Sequence, residues 1–415
     1  MRALVILALA SCTRDLSVFD RIDVQPPRDV DILYVFDSSP GRGNYDVMAG
    51  QLDVLQRKLT DAGGRLPDLH VGVVTTDLGT RGRLDPQPGP AIGHCARSGD
   101  AGKLVAFGAG LTFGSFLEDL EGPGGTRIRN FDGSLGSAVA RLSDPSPGTA
   151  DTGCEVAQPL EAMRLALDPA SNPGFIRPDA LLSIVLLTNQ DDCSLARSAL
   201  LDPFDTSLGP SLAFRCTEQG VVCDGDDPRT TGPRTGCRPR EGSQFLVSVS
   251  EYQQFLAQYK TDARDVTVSA VAGPRSPFAV QNDGVPALVP SCQGAGGSAQ
   301  PAVRIGALVD GFGGTLINGC TQDAAYQQIT TPVVARQRSC FPNLRRTDGE
   351  DCTVTAGDGG AQTELAHCTD AAASPCWYTY NDASACPGGE HVGIAVRGDL
   401  PAAVRSHVRA TCYAQ

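Results

Sequence analysis

Three apolar runs of strand length each break off into a cluster of hydroxyls and carboxylates. Asp31 to Phe36 ends in Asp37-Ser38-Ser39, His70 to Val74 in Thr75-Thr76-Asp77, and Leu181 to Leu187 in Thr188-Asn189-Gln190-Asp191-Asp192. Runs without polar alternation belong to strands buried on both faces, and such strands form parallel sheets covered by helices. Between the first two runs, Met48, Leu52, Leu55 and Leu59 recur at three- and four-residue intervals and Gly63-Gly64 stops the pattern, so an amphipathic helix joins them. Strand, helix, strand is a βαβ unit. The polar ends then collect at the carboxyl edge of the sheet, where open α/β sheets bind ligands. Asp37 and Ser39, two residues apart in a tight loop, present the oxygens a hard divalent cation needs. The same two residue types also hydrogen-bond loop backbone in ordinary turns.

The alternation continues along the chain. Helices are predicted at Ser134 to Leu142, Val156 to Leu167, Phe245 to Tyr259, Pro301 to Phe312 and Ala324 to Arg336, with strands at Asp265 to Ala272 and Thr315 to Asn318. Two stretches interrupt it. Residues 78–130 are rich in glycine and proline, with Leu104 to Phe107 as an expected edge strand; residues 195–241 hold few aliphatics, so disulfides are expected to stand in for a core. Beyond residue 338 the composition shifts to a cysteine-punctuated tail with one clear strand, His391 to Val396, expected to be a small disulfide-held β-like appendage. Arg397-Gly398-Asp399 within it is read as a turn rather than a recognition tripeptide. The expected organisation is a signal peptide over 1–11, a tether over 12–29, an α/β domain over 30–338 with insertions near 78–130 and 195–241, and a tail over 339–415.

A net charge of −13 argues against nucleic acid and against electrostatic attachment to anionic lipid. The first eleven residues carry one positive charge and an apolar segment too short to span a bilayer, the pattern of a signal sequence. Leu9-Ala10-Ser11-Cys12 resembles the lipobox of bacterial lipoproteins, which implies cleavage before Cys12, lipid on that cysteine and membrane anchoring; Thr13 in place of an aspartate implies the outer membrane. Of the fifteen cysteines, setting Cys12 aside leaves an even set: Cys95, Cys154, Cys193, Cys216, Cys223, Cys237, Cys292, Cys320, Cys340, Cys352, Cys368, Cys376, Cys386 and Cys412. In an exported chain these are disulfide candidates. No Cys-x-x-Cys pair offers zinc spacing.

Taken together, the strand into Asp37-Ser38-Ser39, Val73 to Asp77, Thr152-Gly153-Cys154-Glu155 before an amphipathic helix, and Ile184 to Thr188 resemble a von Willebrand factor type A domain over roughly residues 28–338. The resemblance implies a doubly wound, mostly parallel sheet and a metal-ion-dependent adhesion site. It assigns Asp37 and Ser39 to the first loop, Thr152 to the second and Asn189 to the third, with magnesium or calcium as the ion. Gly41 stands where the family has a serine and Asn189 where it has an aspartate; Asp191 or Asp192 is left to compensate. Magnesium demands near-ideal octahedral oxygens, so both departures weaken its site, whereas calcium tolerates them better.

The expected function is a non-enzymatic, lipid-anchored cell-envelope protein that binds a protein partner through the loop edge. The alternatives are a structural envelope component without a metal site and, less favoured, a serine-type hydrolase. The last lacks Gly-x-Ser-x-Gly, and only His70 and His94 fall near the loops and strands concerned.

Overall fold

The computed structural model describes residues 19–24, 28–39, 47–63, 66–92, 94–95, 98–106, 111–143, 153–209, 211–225, 227–321, 328–337, 339–341, 352–357, 362–369, 375–381, 392–397, 400 and 408–413. The chain divides into two compact units, Pro27–Gln337 and Met1–Pro26 with Arg338–Gln415.

The larger unit is mixed α/β. Its main elements in order are β1 (Val30–Phe36), α1 (Val47–Gly63), β2 (Leu69–Thr75), β3 (Leu117–Glu121), β4 (Arg127–Arg129), α2 (Leu135–Ser143), α3 (Pro159–Ala166), β5 (Leu181–Leu187), α4 (Leu212–Gly220), β6 (Gly232–Arg234), α5 (Val249–Ala257), β7 (Val266–Ala272), β8 (Phe278–Asn282), β9 (Pro286–Val289), α6 (Val303–Gly311), β10 (Leu316–Asn318) and α7 (Thr331–Arg336). The central sheet runs β10-β7-β5-β1-β2-β3-β4. The first five strands are parallel, and β3 and β4 extend the sheet antiparallel.

All seven residues of β1 are buried, and alternate side chains enter different cores. Leu33 and Val35 join Leu160 and Met163 of α3, Tyr252 of α5 and Leu308 of α6. Ile32, Tyr34 and Phe36 join Leu52 and Leu59 of α1, Val139 of α2 and Val333 of α7. Each fully buried aliphatic contributes roughly 1.5–3 kcal/mol, so β1 anchors both faces. Pairing aligns Phe36 with Thr75 on one side and Leu187 on the other. The three polar loops therefore leave the sheet at one level.

Three expectations change. Residues 104–106 are not a strand, although Val105 N–H bonds the Val73 carbonyl at 2.7 Å; Phe107 lies outside the described residues. The edge is built by β3 and β4 instead. The acidic sequence Leu117-Glu118-Asp119-Leu120-Glu121 hides β3, because Asp119 is fully buried yet satisfied by Arg127 Nε at 2.8 Å, Arg129 Nε at 3.1 Å and Gln56 Nε2 at 3.0 Å. The insertion at 195–241 is also packed into an apolar cluster, not held by disulfides alone. Phe214 and Val221 are buried with Phe278, Val280 and Val303, partners supplied from beyond the insertion by β8 and α6. Here β8 lies between β6 and β9 in a small antiparallel sheet.

The smaller unit is a seven-stranded sheet in the order 19–24, 408–413, 352–356, 363–367, 376–381, 392–397, 339–341. Residues 12–29 are thus not all tether, because Phe19–Val24 pairs antiparallel with Val408–Tyr413. The cause is non-local: the partner strand lies at the other end of the sequence. Trp377, Val354, Ile394 and Val408 form the apolar cluster of this unit. Gly398 and Asp399 lie outside the described residues.

Six disulfides join twelve of the candidate cysteines: Cys95–Cys154, Cys193–Cys216, Cys223–Cys237, Cys292–Cys320, Cys352–Cys412 and Cys368–Cys376. Cys12, Cys386 and the side chain of Cys340 lie outside the described residues. No helix among the described residues is long and apolar enough to cross a membrane.

Candidate functional site

Counted in chain order, the five parallel strands lie 5-4-3-1-2 across the sheet, so the order reverses between β1 and β5. Crevices in open α/β sheets form at such a reversal, outside the carboxyl ends of the strands. Asp37 leaves β1 and Thr188 leaves β5 at that point. Asp37 N–H bonds the Leu187 carbonyl at 2.8 Å, and Thr76 N–H bonds the Phe36 carbonyl at 2.8 Å.

The side chains then close a small polar lattice. Asp37 is fully buried. Its Oδ1 accepts from Ser39 N–H at 2.8 Å, and its Oδ2 from the Thr188 hydroxyl at 2.6 Å. Gln190 Nε2 donates to Ser39 Oγ at 3.0 Å, and Gln190 N–H donates to Thr188 Oγ1 at 3.0 Å. Ser38 N–H reaches Thr76 Oγ1 at 3.3 Å, while Ser38 Oγ is buried with no partner among the described residues.

The loop carrying Gly153 lies directly on this lattice. A Cβ on Gly153 would stand 1.5 Å from the Ser38 carbonyl oxygen, so only glycine permits the approach. Asp77 holds the same loop from the β2 side, accepting backbone N–H groups of Gly79 and Cys154; burial is the first cause that keeps its carboxyl above the usual carboxylate range. Two disulfides fix the surroundings. Cys95–Cys154 ties the Gly153 loop to the first insertion, and Cys193–Cys216 ties the loop after β5 to α4. A cleft of about 490 Å³ opens beside the lattice, lined by Glu155, Asn189, Gln190, Ser211, Pro290 and Gln300 among others.

The structure brings Asp37 and Ser39 together and adds Thr188 and Gln190, which sequence reading left out of the site. The signal for Thr188 is its place as the first hydroxyl after a buried strand; Gln190 has none. Thr152 and Gly41 lie outside the described residues. Asn189 accepts Gln300 N–H on its backbone carbonyl at 2.9 Å.

Asp191 has other work. Both its oxygens take the first N–H groups of α6, from Val303 at 3.0 Å, Arg304 at 3.0 and 3.1 Å, and Ile305 at 3.1 Å. It is a helix cap, placed where the helix dipole favours a negative charge, and burial pushes its carboxyl up to about 6. Asp192 accepts Leu160 N–H at 3.1 Å, at the start of α3, and pairs with buried Arg304 at 2.9 Å. Compensation for Asn189 by these two carboxylates is therefore replaced by two capping roles.

Asp37, Ser39 and Thr188 offer a hard cation the right kind of atom, oxygen, with one carboxylate. No lysine or arginine pairs with Asp37 among the described residues, and a fully buried carboxylate without a cation is costly to desolvate. No group of three His, Cys, Asp or Glu side chains converges among the described residues. His70 sits at the opposite end of the strands from Ser38 and Ser39, with Nδ1 2.8 Å from the Phe175 carbonyl oxygen. Burial, the largest influence, lowers its pKa.

No protein-family profile matches the chain, and no curated protein matches it. Among solved structures, the conserved hypothetical protein BatB from Bacteroides thetaiotaomicron aligns at 10% identity over 74% of this chain and 99% of its own, with a TM-score of 0.29. A von Willebrand factor type A protein from Catenulispora acidiphila aligns at 10% identity over 95% of this chain and 64% of its own, TM-score 0.28. The pilus adhesin SpaC from Lactobacillus rhamnosus GG does so at 10% identity over 95% of this chain and 40% of its own, TM-score 0.32. At such scores these likenesses bear on neither function nor site.

Proposed function

We propose that the chain is a non-enzymatic, lipid-anchored protein of the cell envelope that binds a protein partner through the carboxyl edge of its central sheet. The observation that supports this reading is the lattice of Asp37, Thr188, Ser39 and Gln190 at the strand-order reversal, held between disulfide-pinned loops beside an open cleft. Rigid loops lose little entropy on binding, which favours recognition. Six disulfides suit an exported protein. Anchoring rests on Leu9 to Cys12, outside the described residues.

A divalent cation belongs to the proposal as a switch. Asp37 and Ser39 would hold it, with Thr152 from the adjoining loop, and when bound it supplies an open position for a partner carboxylate. Asp37→Asn keeps the shape and removes the charge. Melting of the wild-type protein is expected to rise by several degrees with magnesium, manganese or calcium over chelator, and the variant is expected to show no ion response. An ion-independent wild type removes the cation from the proposal. The binding reading is tested separately by cross-linking in envelope fractions: a discrete partner must be captured by the wild-type protein and lost with Gln190→Ala. Capture of the same proteins by both rejects the loop edge as the binding surface.

A further inference from the structure

A second cavity, away from the strand-order reversal, lies in the region that the sequence marked as poor in aliphatics. It encloses about 370 Å³, within the range of small-molecule sites, about 300–1,000 Å³. Phe214 of α4, Val221, Phe278 and Val280 of β8, and Leu288 of β9 give it an apolar lining. The Cys223–Cys237 bridge braces one wall.

Arg240 also lines this cavity. Its Nε is buried and has no hydrogen-bond partner among the described residues. Among the described residues its Nη2 reaches only the carbonyl oxygens of Glu218 and Val221, each at 3.4 Å. No carboxylate pairs with it among the described residues. The lining acids are otherwise engaged: Arg229 holds Glu218 from Nε at 2.9 and 3.2 Å and from Nη2 at 3.1 Å. Asp224 faces Arg238 at 3.6 Å, and Asp227 accepts Arg229 N–H at 2.8 Å and the Thr230 hydroxyl at 3.1 Å. A guanidinium that lines an apolar cavity with no carboxylate paired to it among the described residues is matched by the charge of a carboxylate.

We infer that this cavity binds a small monocarboxylic acid with an apolar body, the carboxylate against Arg240 and the body against Phe214, Phe278 and Val280. The cavity contains none of Asp37, Ser39, Thr188 or Gln190, so it stands or falls apart from the proposed partner binding.

Calorimetric titration of the oxidised full chain with octanoate and 4-phenylbutyrate, and with their neutral amides, tests it. At least one acid is expected to bind saturably with one-to-one stoichiometry, and its amide at least tenfold more weakly. Arg240→Gln is expected to lose at least tenfold in affinity for the acid, while Arg238→Gln, on the exposed neighbour, stays within twofold. Absence of saturable binding by both acids, an amide that binds as well as its acid, or unchanged affinity in Arg240→Gln overturns the assignment. Should Arg240→Gln fail to fold, the acid-to-amide ratio of the wild-type protein decides.

Discussion

Gly153 and Ser38 meet so closely that one methyl group separates a formed site from a disrupted one. Gly153→Ala forces the Cβ against a backbone carbonyl, which has nowhere cheap to go, and overpacking of this kind costs about 1–3 kcal/mol. Denaturant titration is expected to show that loss, together with disappearance of any ion response at Asp37; an unchanged midpoint would mean the two loops do not touch. At this scale the sequence was partly legible. Asp37 and Ser39 stand where a buried strand ends, and that position announces them. Thr188 and Gln190 complete the lattice from 151 residues away, a pairing set by strand order rather than by local pattern. Asp191 shows the converse. A carboxylate reads identically in a sequence whether it will face a cation or the N–H groups at a helix start.

Among elements, α6 depends most visibly on one side chain. Asp191 has its folded pKa raised from 3.8 to about 6 by burial, so its contribution to stability is fully present below the unfolded value and is lost as pH rises through about 6. The displacement is worth on the order of 3 kcal/mol. Subtracting the unfolding free energy of Asp191→Asn from that of the wild-type protein cancels the other titrating groups. That difference is expected to shift against the wild type between pH 4 and pH 7, and a flat difference would contradict the burial that raises the pKa. The strands β1, β2, β5 and β7 were legible to within a residue or two, because seven-residue apolar runs have few other uses. The edge strands β3 and β4 and the helix α4 were not. Asp119 sits in a strand because three donors reach it, and Phe214 is buried because β8 and α6 come back to cover it; neither fact is local.

As a whole molecule, the chain separates its apolar clusters cleanly. The two clusters flanking the central sheet close within Pro27–Gln337. So do the bridges Cys95–Cys154, Cys193–Cys216, Cys223–Cys237 and Cys292–Cys320. A chain limited to residues 27–337, made under oxidising conditions, is expected to melt cooperatively and keep near-ultraviolet circular dichroism. A non-cooperative melt would show that the unit does not fold alone. The antiparallel pair of Phe19–Val24 with Val408–Tyr413 sets a different timetable for the remainder. Synthesis proceeds at about 5–20 residues per second, so the first strand to emerge waits tens of seconds for its partner, long after the central sheet has all its strands. Cys352 waits as well, since its partner Cys412 lies 60 residues further along the chain. Pairing of this strand therefore waits on the whole intervening chain, and until Val408–Tyr413 has been made Phe19–Val24 is an unpaired edge.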